Sequence, residues 1–534
     1  MRTQLRREMI FVLGLSLFML AVNGAPWVLR LFTTPAGRAF VPFYNSDADY
    51  ASYTAYIKQG IDGALLVHNP FTPVAHAGGV IFIIYLFLGH IGRIAGVLDA
   101  HLIYHISRYV LGFIWFLVLW GFFRRIFSRQ VERLTAFLFA VTSASFPYWT
   151  LVNGKPQLTW HMSWWTEFDP IKRAAFLPHY LVGHILLVVL LQLFFSLVDR
   201  ARKELLILVG VLAFVTGVIH TPSLIILLLI LPAWAVLSGN WRSLRYWLFL
   251  CITGGAGLLL VNWQSQQFPW YYGRWYEGLS FAVSIWECVL ALGPIVILAP
   301  IGFVLAKKDR WTLVSVLWVV GSLAMIWISE WMLTLPEQFR VVPLSNIRFL
   351  QTALWVPLAL LSAKAMGVVA AKWGKPAVIA VLAVYAGLTF LAYPQSVVNQ
   401  YQLLMAADEY HAPKTQWYRA IQDIAADHLA GPVFALSWTG SLIPSYTGRT
   451  VFVGQKIVSP SYDEQMQKAY TFYQGLPICA AYHVVHDAGV RTVFFGFDEH
   501  IPGTAVTTYP FLTLWKTFGE TSLYTVNEAP PQGC

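Results

Sequence analysis

The sequence predicts a polytopic α-helical membrane protein with about eleven transmembrane helices, an outer interfacial helix and a small C-terminal extracytoplasmic α/β domain. Three observations carry this prediction. First, 57% of the 534 residues are hydrophobic and only 12% are charged, with a mean hydropathy of +0.59. An ordinary globular chain carries about 25% charged residues, so this chain cannot coat a soluble surface of its size. Second, apolar runs alternate with short basic clusters, the positive-inside pattern. Third, the composition changes at Pro394. The tail from there carries 7 Lys+Arg and 11 Asp+Glu, and the rest carries 29 and 15. A soluble multidomain protein, a disordered chain, a collagen and a disulfide-framework mini-protein are all excluded. The net charge of +10 reads as a topology signal and not as a nucleic-acid footprint.

The N-terminus, MRTQLRREM, is basic and precedes an apolar run to Leu31. That run is too long for the core of a cleaved signal peptide, so it reads as a retained span with its basic end cytoplasmic. Expected spans are 9–31, 101–123, 133–152, 177–198, 205–220, 222–238, 244–263, 284–305, 311–330, 349–370 and 376–393. A further apolar stretch, Gly78 to Gly89, covers about 20 Å as helix against a hydrocarbon core of about 30 Å. The charges place it. If it crossed, Arg124, Arg125, Arg129 and Arg133 would face outward. If it lies on the outer surface, that cluster is cytoplasmic. So then are Arg200, Arg202 and Lys203, Arg242 and Arg245, Lys307, Lys308 and Arg310, and Lys364, Lys372 and Lys375. One assumption brings every cluster to one side. The expected division is a transmembrane domain with outer catalytic loops over 1–393 and an extracytoplasmic α/β domain over 394–534. The expected location is the cell inner (plasma) membrane.

The acids sort the other way. Asp47, Asp49, Asp62, Asp99, Glu167, Asp169, Glu277, Glu287, Glu330 and Glu337 fall on the outer side. Carboxylates contribute little to topology, so their concentration there points to chemistry. The first outer loop centres on Tyr44-Asn45-Ser46-Asp47-Ala48-Asp49-Tyr50, with helix-compatible sequence to Gln59. Asp47 and Asp49 form a carboxylate pair in which one acid could act as general base and the other orient it. Equally, Ser46 or Asp47 is a good helix N-cap, and first-turn acids suit the helix dipole. Both readings can hold together.

One span, an outer loop with an acid pair, an interfacial helix, many spans and an outer tail form a particular order. It resembles the GT-C superfamily of membrane glycosyltransferases, which includes protein O-mannosyltransferases, aminoarabinose transferases and the oligosaccharyltransferase catalytic subunit. The matching residues are Asp47-x-Asp49-Tyr50, then Tyr53, Tyr56 and the run Gly60 to Thr72. The resemblance implies a glycosyltransferase that moves a hexosyl or pentosyl group from a polyprenyl-phosphate carrier to an acceptor hydroxyl on the extracytoplasmic face. The catalytic carboxylate is then Asp49, with Asp47 the second candidate and Tyr50 beside the substrate. The acceptor, whether glycan, protein or lipid, is unspecified.

The loop NGKPQLTWHMSWWTEFDPIKR, Asn153 to Arg173, holds a second acid pair, Glu167-Phe168-Asp169. By resemblance, Glu167 and Asp169 could join Asp47 or Asp49 around Mg²⁺ or Mn²⁺, hard ions that take oxygen ligands. The alternative is ordinary ion pairing with Lys172 and Arg173. His161 and Trp164 in this loop could contact a sugar or an isoprenoid, or belong to an interfacial aromatic belt. A phosphate leaving group needs positive charge, and Arg340 and Arg348 flank the loop before the tenth span. Arg binds phosphate in a bidentate fashion. The alternative is a pair of snorkelling anchors. His101 and His105, one helical turn apart, read as hydrogen-bonded interface residues, and His220-Thr221-Pro222 as a hairpin between short spans.

In the tail, Lys414 to Leu429 has amphipathic helical spacing. Residues 432–436, 450–453 and 493–495 read as strands, and 462–475 and 480–488 as helices. Cys479 and Cys534 either pair or stay as two thiols. No GxGxxG or GKS/T occurs, which argues against a nucleotide-sugar site. The competing classes are a transporter or lipid flippase, for which no internal repeat is found, and a non-catalytic scaffold.

Overall fold

A computed structural model describes residues 2–534 apart from 45, 163–164, 201, 274–283, 306–307, 337–344, 391, 406–408, 428 and 504–505. The chain forms two compact units. A membrane unit comprises Met1–Pro26, Arg108–Asn262 and Glu277–Tyr401, and a loop-and-tail unit comprises Trp27–Ser107, Trp263–Tyr276 and Gln402–Cys534. The sequence did not signal that the first loop would cluster with the tail.

Among the described residues, six helices are long and apolar enough to cross a membrane: Gln4–Thr33, Ala100–Ile126, Pro178–Asp199, Trp241–Gln264, Arg310–Met332 and Trp355–Gln402. A bent pair raises the number to seven. The expected eleven is therefore not matched by eleven such helices among the described residues. Large apolar side chains on these helices are exposed, Leu17 by 57% and Val320 by 57%. Such surfaces suit hydrocarbon contact and not water.

From residue 100 onward the helices take the labels α4 (Ala100–Ile126), α5 (Gln130–Thr142), α6 (Pro170–Ala174), α7 (Pro178–Asp199), α8 (Lys203–Ile219), α9 (Thr221–Leu237) and α10 (Leu244–Gln264). Helix α1 (Arg2–Thr33) begins the chain. Helices α8 and α9 meet at His220, the hairpin expected there. The expected spans 349–370 and 376–393 meet in one bent helix, Trp355–Thr389, with Gly374 at φ 75 and Pro376 behind it.

Two expected spans are corrected. The span 133–152 ends as helix at Thr142, and Pro147–Val152 is a strand, β1, paired antiparallel with β2 (Lys155–Trp160). The turn residues Asn153 and Gly154 both have left-handed φ, 51° and 74°, as a type I′ hairpin turn requires. The apolar content of 147–152 imitates a span, but the Asn-Gly turn and the β-favouring Tyr, Trp, Thr and Val around it decide the outcome. The span 284–305 breaks into α11 (Ile285–Ala291) and α12 (Ile295–Leu305), bent by 90°. Gly293 makes the bend at φ 70, where a Cβ would lie 1.8 Å from the Ala144 carbonyl oxygen.

In the loop-and-tail unit, α2 (Asp47–Asp62) packs against α3 (Ile83–Ile94), a helix that overlaps the apolar stretch Gly78 to Gly89. The crossing is made by glycine. A Cβ on Gly60 would stand 2.0 Å from the Leu86 carbonyl oxygen, and one on Gly89 would stand 2.1 Å from that of Ile57. Tail strands β3 (Val433–Phe434), β4 (Thr492–Phe495), β5 (Leu512–Phe518) and β6 (Thr521–Val526) form a sheet of order β3-β4-β6-β5. The β3–β4 pair is parallel and the others are antiparallel. The expected strand 450–453 reduces to one bridge, Val433 with Val451. The three expected tail helices appear as Thr415–Ala426, Tyr462–Gly475 and Ile478–His486. Phe434, Phe472, Tyr473, Tyr482 and Val493 form the core. Cys479 and Cys534 are disulfide-bonded, and Cys251 and Cys288 are free.

The first loop is bonded into this tail. Val451 N–H donates to the Pro70 carbonyl at 2.8 Å, and the Asn69 side chain donates to the Val458 carbonyl at 2.7 Å. Helix α2 also packs against Ser437–Thr447.

Candidate functional site

Two groups of site residues are present, one in each unit. In the loop-and-tail unit, Ser46 is the N-cap of α2 and its hydroxyl accepts from the Asp49 N–H at 3.4 Å. Asp47 and Asp49 occupy the first turn, where the helix dipole favours a negative charge. The capping reading and the acid-pair reading therefore coexist. Both acids are partly exposed, and His411 Nε2 lies 3.9 Å from Asp47 Oδ2. The next residue, Tyr50, is fully buried. Its hydroxyl lies 2.7 Å from His101 Nδ1, and Phe43 and Tyr104 pack edge-on to its ring. Tyr50 thus supports the acid turn from within the core. His105 Nε2 bonds the Pro42 carbonyl at 2.9 Å, so both histidines are hydrogen-bonded.

In the membrane unit, Glu167 and Asp169 diverge. Glu167 is fully buried. The Trp355 indole N–H donates to its Oε1 at 2.8 Å, and His184 Nε2 is 3.8 Å away. Its Oε2 has no hydrogen-bond partner among the described residues. Asp169 caps α6: Oδ1 accepts from Ile171 and Lys172 N–H at 2.9 and 3.0 Å, and Oδ2 accepts from the Ser396 hydroxyl. Arg173 donates to the Glu167 carbonyl and to that of Ser143, and its guanidinium carbon stands 4.5 Å from the Trp355 ring centroid. Burial pulls the Arg173 pKa down, against the opposing charge of Glu167 first among several.

These contacts bear on the expected metal. Asp169 spends both carboxylate oxygens on protein donors, and only Glu167 Oε2 remains. No group of three His, Cys, Asp or Glu residues able to hold a metal occurs among the described residues. Glu167 and Asp169 by themselves do not make a site for Mg²⁺ or Mn²⁺.

Arg348 lies in a 3-10 turn, Asn346–Gln351. It donates to the Tyr180 hydroxyl and, at 3.4 Å, to Gln351 Oε1. Tyr180 stacks on Phe176 and meets His220 edge-on at 5.0 Å. His184 lies 5.9 Å from His220, ring to ring. This aromatic and imidazole surround was not singled out from the sequence. Its signal was present as Tyr180 and His184, four apart and so on one face at the start of α7. His161 pairs with Glu287 at 3.0 Å and packs on Tyr148. Arg340 and Trp164 lie outside the described residues.

The fold of the chain is similar to that of a solved oligosaccharyltransferase. Two solved structures carry that statement, both of the oligosaccharyltransferase of Archaeoglobus fulgidus. One, a complex with zinc and sulfate, aligns with a TM-score of 0.50 and 13% identity over 90% of this chain and 67% of that one. The other, named AglB and bound to an inhibitory peptide and a dolichol-phosphate, aligns with a TM-score of 0.52 and 12% identity over 90% and 69%. At such identities the likeness is one of fold. No protein-family model matches the chain, nor does any curated protein.

Proposed function

We propose that the chain is a membrane glycosyltransferase that moves a sugar from a polyprenyl-phosphate carrier to an acceptor hydroxyl on the extracytoplasmic face of the plasma membrane. The observation that carries this reading is the partly exposed acid pair Asp47 and Asp49, held in a capped first turn within a GT-C fold. Asp49 is the general base, with Asp47 the second candidate. It removes the proton of the acceptor hydroxyl as that oxygen attacks the anomeric carbon. The bond from that carbon to the carrier oxygen breaks, and the phosphate leaves with the electron pair. Arg348 is the proposed partner of the phosphate. The Tyr180 hydroxyl, which accepts from Arg348, restricts that guanidinium to fewer orientations. The archaeal neighbour is solved with a dolichol-phosphate and a peptide, which supports a polyprenyl-phosphate carrier here and places peptides among the acceptors to assay. The proposed orientation has the N-terminus cytoplasmic and the tail outside.

The test is transfer from labelled polyprenyl-phosphate sugars by the purified full-length protein. Asp49→Asn should abolish transfer, a loss of at least about 10²-fold for a general base, with unchanged thermal unfolding. Full activity in both Asp49→Asn and Asp47→Asn overturns the assignment.

A further inference from the structure

A groove of about 500 Å³ in the membrane unit is lined by Val118, Gly121, Arg124, Arg125, Val189 and Gln192. Helix periodicity explains its construction. Val118, Gly121 and Arg125 are three and four apart on α4, so they stand in one row along the helix. Val189 and Gln192 are three apart on α7. The groove is therefore apolar along its length, and its one end is polar, with two guanidinium groups and an amide. Gly121 borders the open space of the groove, since a Cβ built there meets nothing within 4 Å.

The charges at the polar end are uncompensated. Arg133 pairs with Glu8, Arg310 with Asp199 and Lys364 with Asp309. Arg124 and Arg125 are exposed, and neither has a carboxylate partner among the described residues. Arg125 donates only to the neutral Gln192 amide, at 3.4 Å. Both residues sit in the last turn of α4, where the helix dipole supplies about half a negative charge. That offsets a fraction of two full positive charges.

We infer that this groove binds an anionic phospholipid, with its phosphodiester on Arg124 and Arg125 and an acyl chain along Val118, Gly121 and Val189. The guanidinium fork matches a phosphate geometrically, and basic pockets between membrane helices hold anionic headgroups. Lipid tails are as apolar as Val, so the chain gains packing but no hydrophobic driving force within the bilayer. The headgroup must then supply the selectivity, and the groove must supply the requirement for a chain.

Native mass spectrometry of the full-length protein with phosphatidylglycerol and phosphatidylcholine of identical chains tests this. The wild type should retain phosphatidylglycerol roughly ten- to thirty-fold better, as two surface arginines imply. R124Q/R125Q should lose most of that preference, and R124K/R125K should keep it in part. G121L fills the groove without touching the charges and should lower phosphatidylglycerol retention several-fold. Equal retention of the two lipids by the wild type overturns the proposal, as does an unchanged preference in R124Q/R125Q. Soluble glycerol phosphate that binds as tightly as the lipid, with no effect of G121L, shows a free-phosphate site and also overturns it.

Discussion

At the scale of single residues, two buried carboxylates show how burial and donors compete. Glu167 keeps one oxygen bonded to an indole N–H and the other without a partner among the described residues. In the tail, Glu499 is fully buried and accepts from the N–H groups of Leu436 at 3.0 Å and Gly496 at 2.9 Å. Those donors favour the anion. Burial first, and the neighbouring Asp498 charge second, outweigh them and push the Glu499 pKa up to about 8 from 4.5. The proton is thus held in the folded state over a window in which the unfolded chain has released it. Stability must fall as pH rises from 4.5 to about 8 and level off above it. Glu499→Gln should flatten that slope. Hydrogen exchange of the β3 and β4 amides in the full-length protein, measured at pH 5 and pH 8, reads the difference. An unchanged slope in the variant would show that the proton is held elsewhere.

Among the helices and strands, the acid turn depends on how α2 is seated. Gly60 and Gly89 let α2 and α3 approach until each would drive a Cβ into the other's backbone. Gly60→Ala must push the helices apart, at a cost of about 1–3 kcal/mol for overpacking. Thermal unfolding should fall accordingly, and transfer should fall with it because Asp49 sits on the displaced helix. A Gly60→Ala protein with wild-type unfolding would show that the crossing has slack. Much at this scale was legible beforehand. The Ser46 cap, the first-turn acids, the tail helices and the α8–α9 hairpin all follow from local rules read off adjacent residues. The β1–β2 hairpin was legible too, but its Asn153-Gly154 turn was outweighed by apolar content. The break at Gly293 was not legible, because it depends on the Ala144 carbonyl, more than a hundred residues away. The β5–β6 hairpin was missed because Leu512 to Phe518 alternates weakly and its apolar side chains are half exposed.

For the whole molecule, composition and charge were sufficient to predict a helical membrane protein with a distinct tail. The number of crossings was less accessible, because apolar length does not distinguish a straight span from a bent or broken one. The roles of Glu167 and Asp169 were ambiguous for a related reason: one spacing served both a metal pair and ion pairs with Lys172 and Arg173, and the contacts add a role that neither reading named, Asp169 as the cap of α6. The proposed orientation has a consequence at this scale. Disulfides persist in oxidising compartments, so Cys479–Cys534 should form in cells only if the tail is outside. Thiol-labelling mass spectrometry of freshly alkylated cells should find the two cysteines protected and Cys251 and Cys288 modified after denaturation. A reduced tail in freshly alkylated cells would reverse the orientation.

The bond from Val451 to the Pro70 carbonyl joins segments almost four hundred positions apart in the chain. The tail and the first loop are therefore a single unit of inheritance. A chimera that imports a foreign tail while keeping the native first loop splits one fold between two parents, and the acid turn loses part of its foundation. If the chain transfers a sugar as proposed, exchange of acceptor preference should succeed only when both segments travel together.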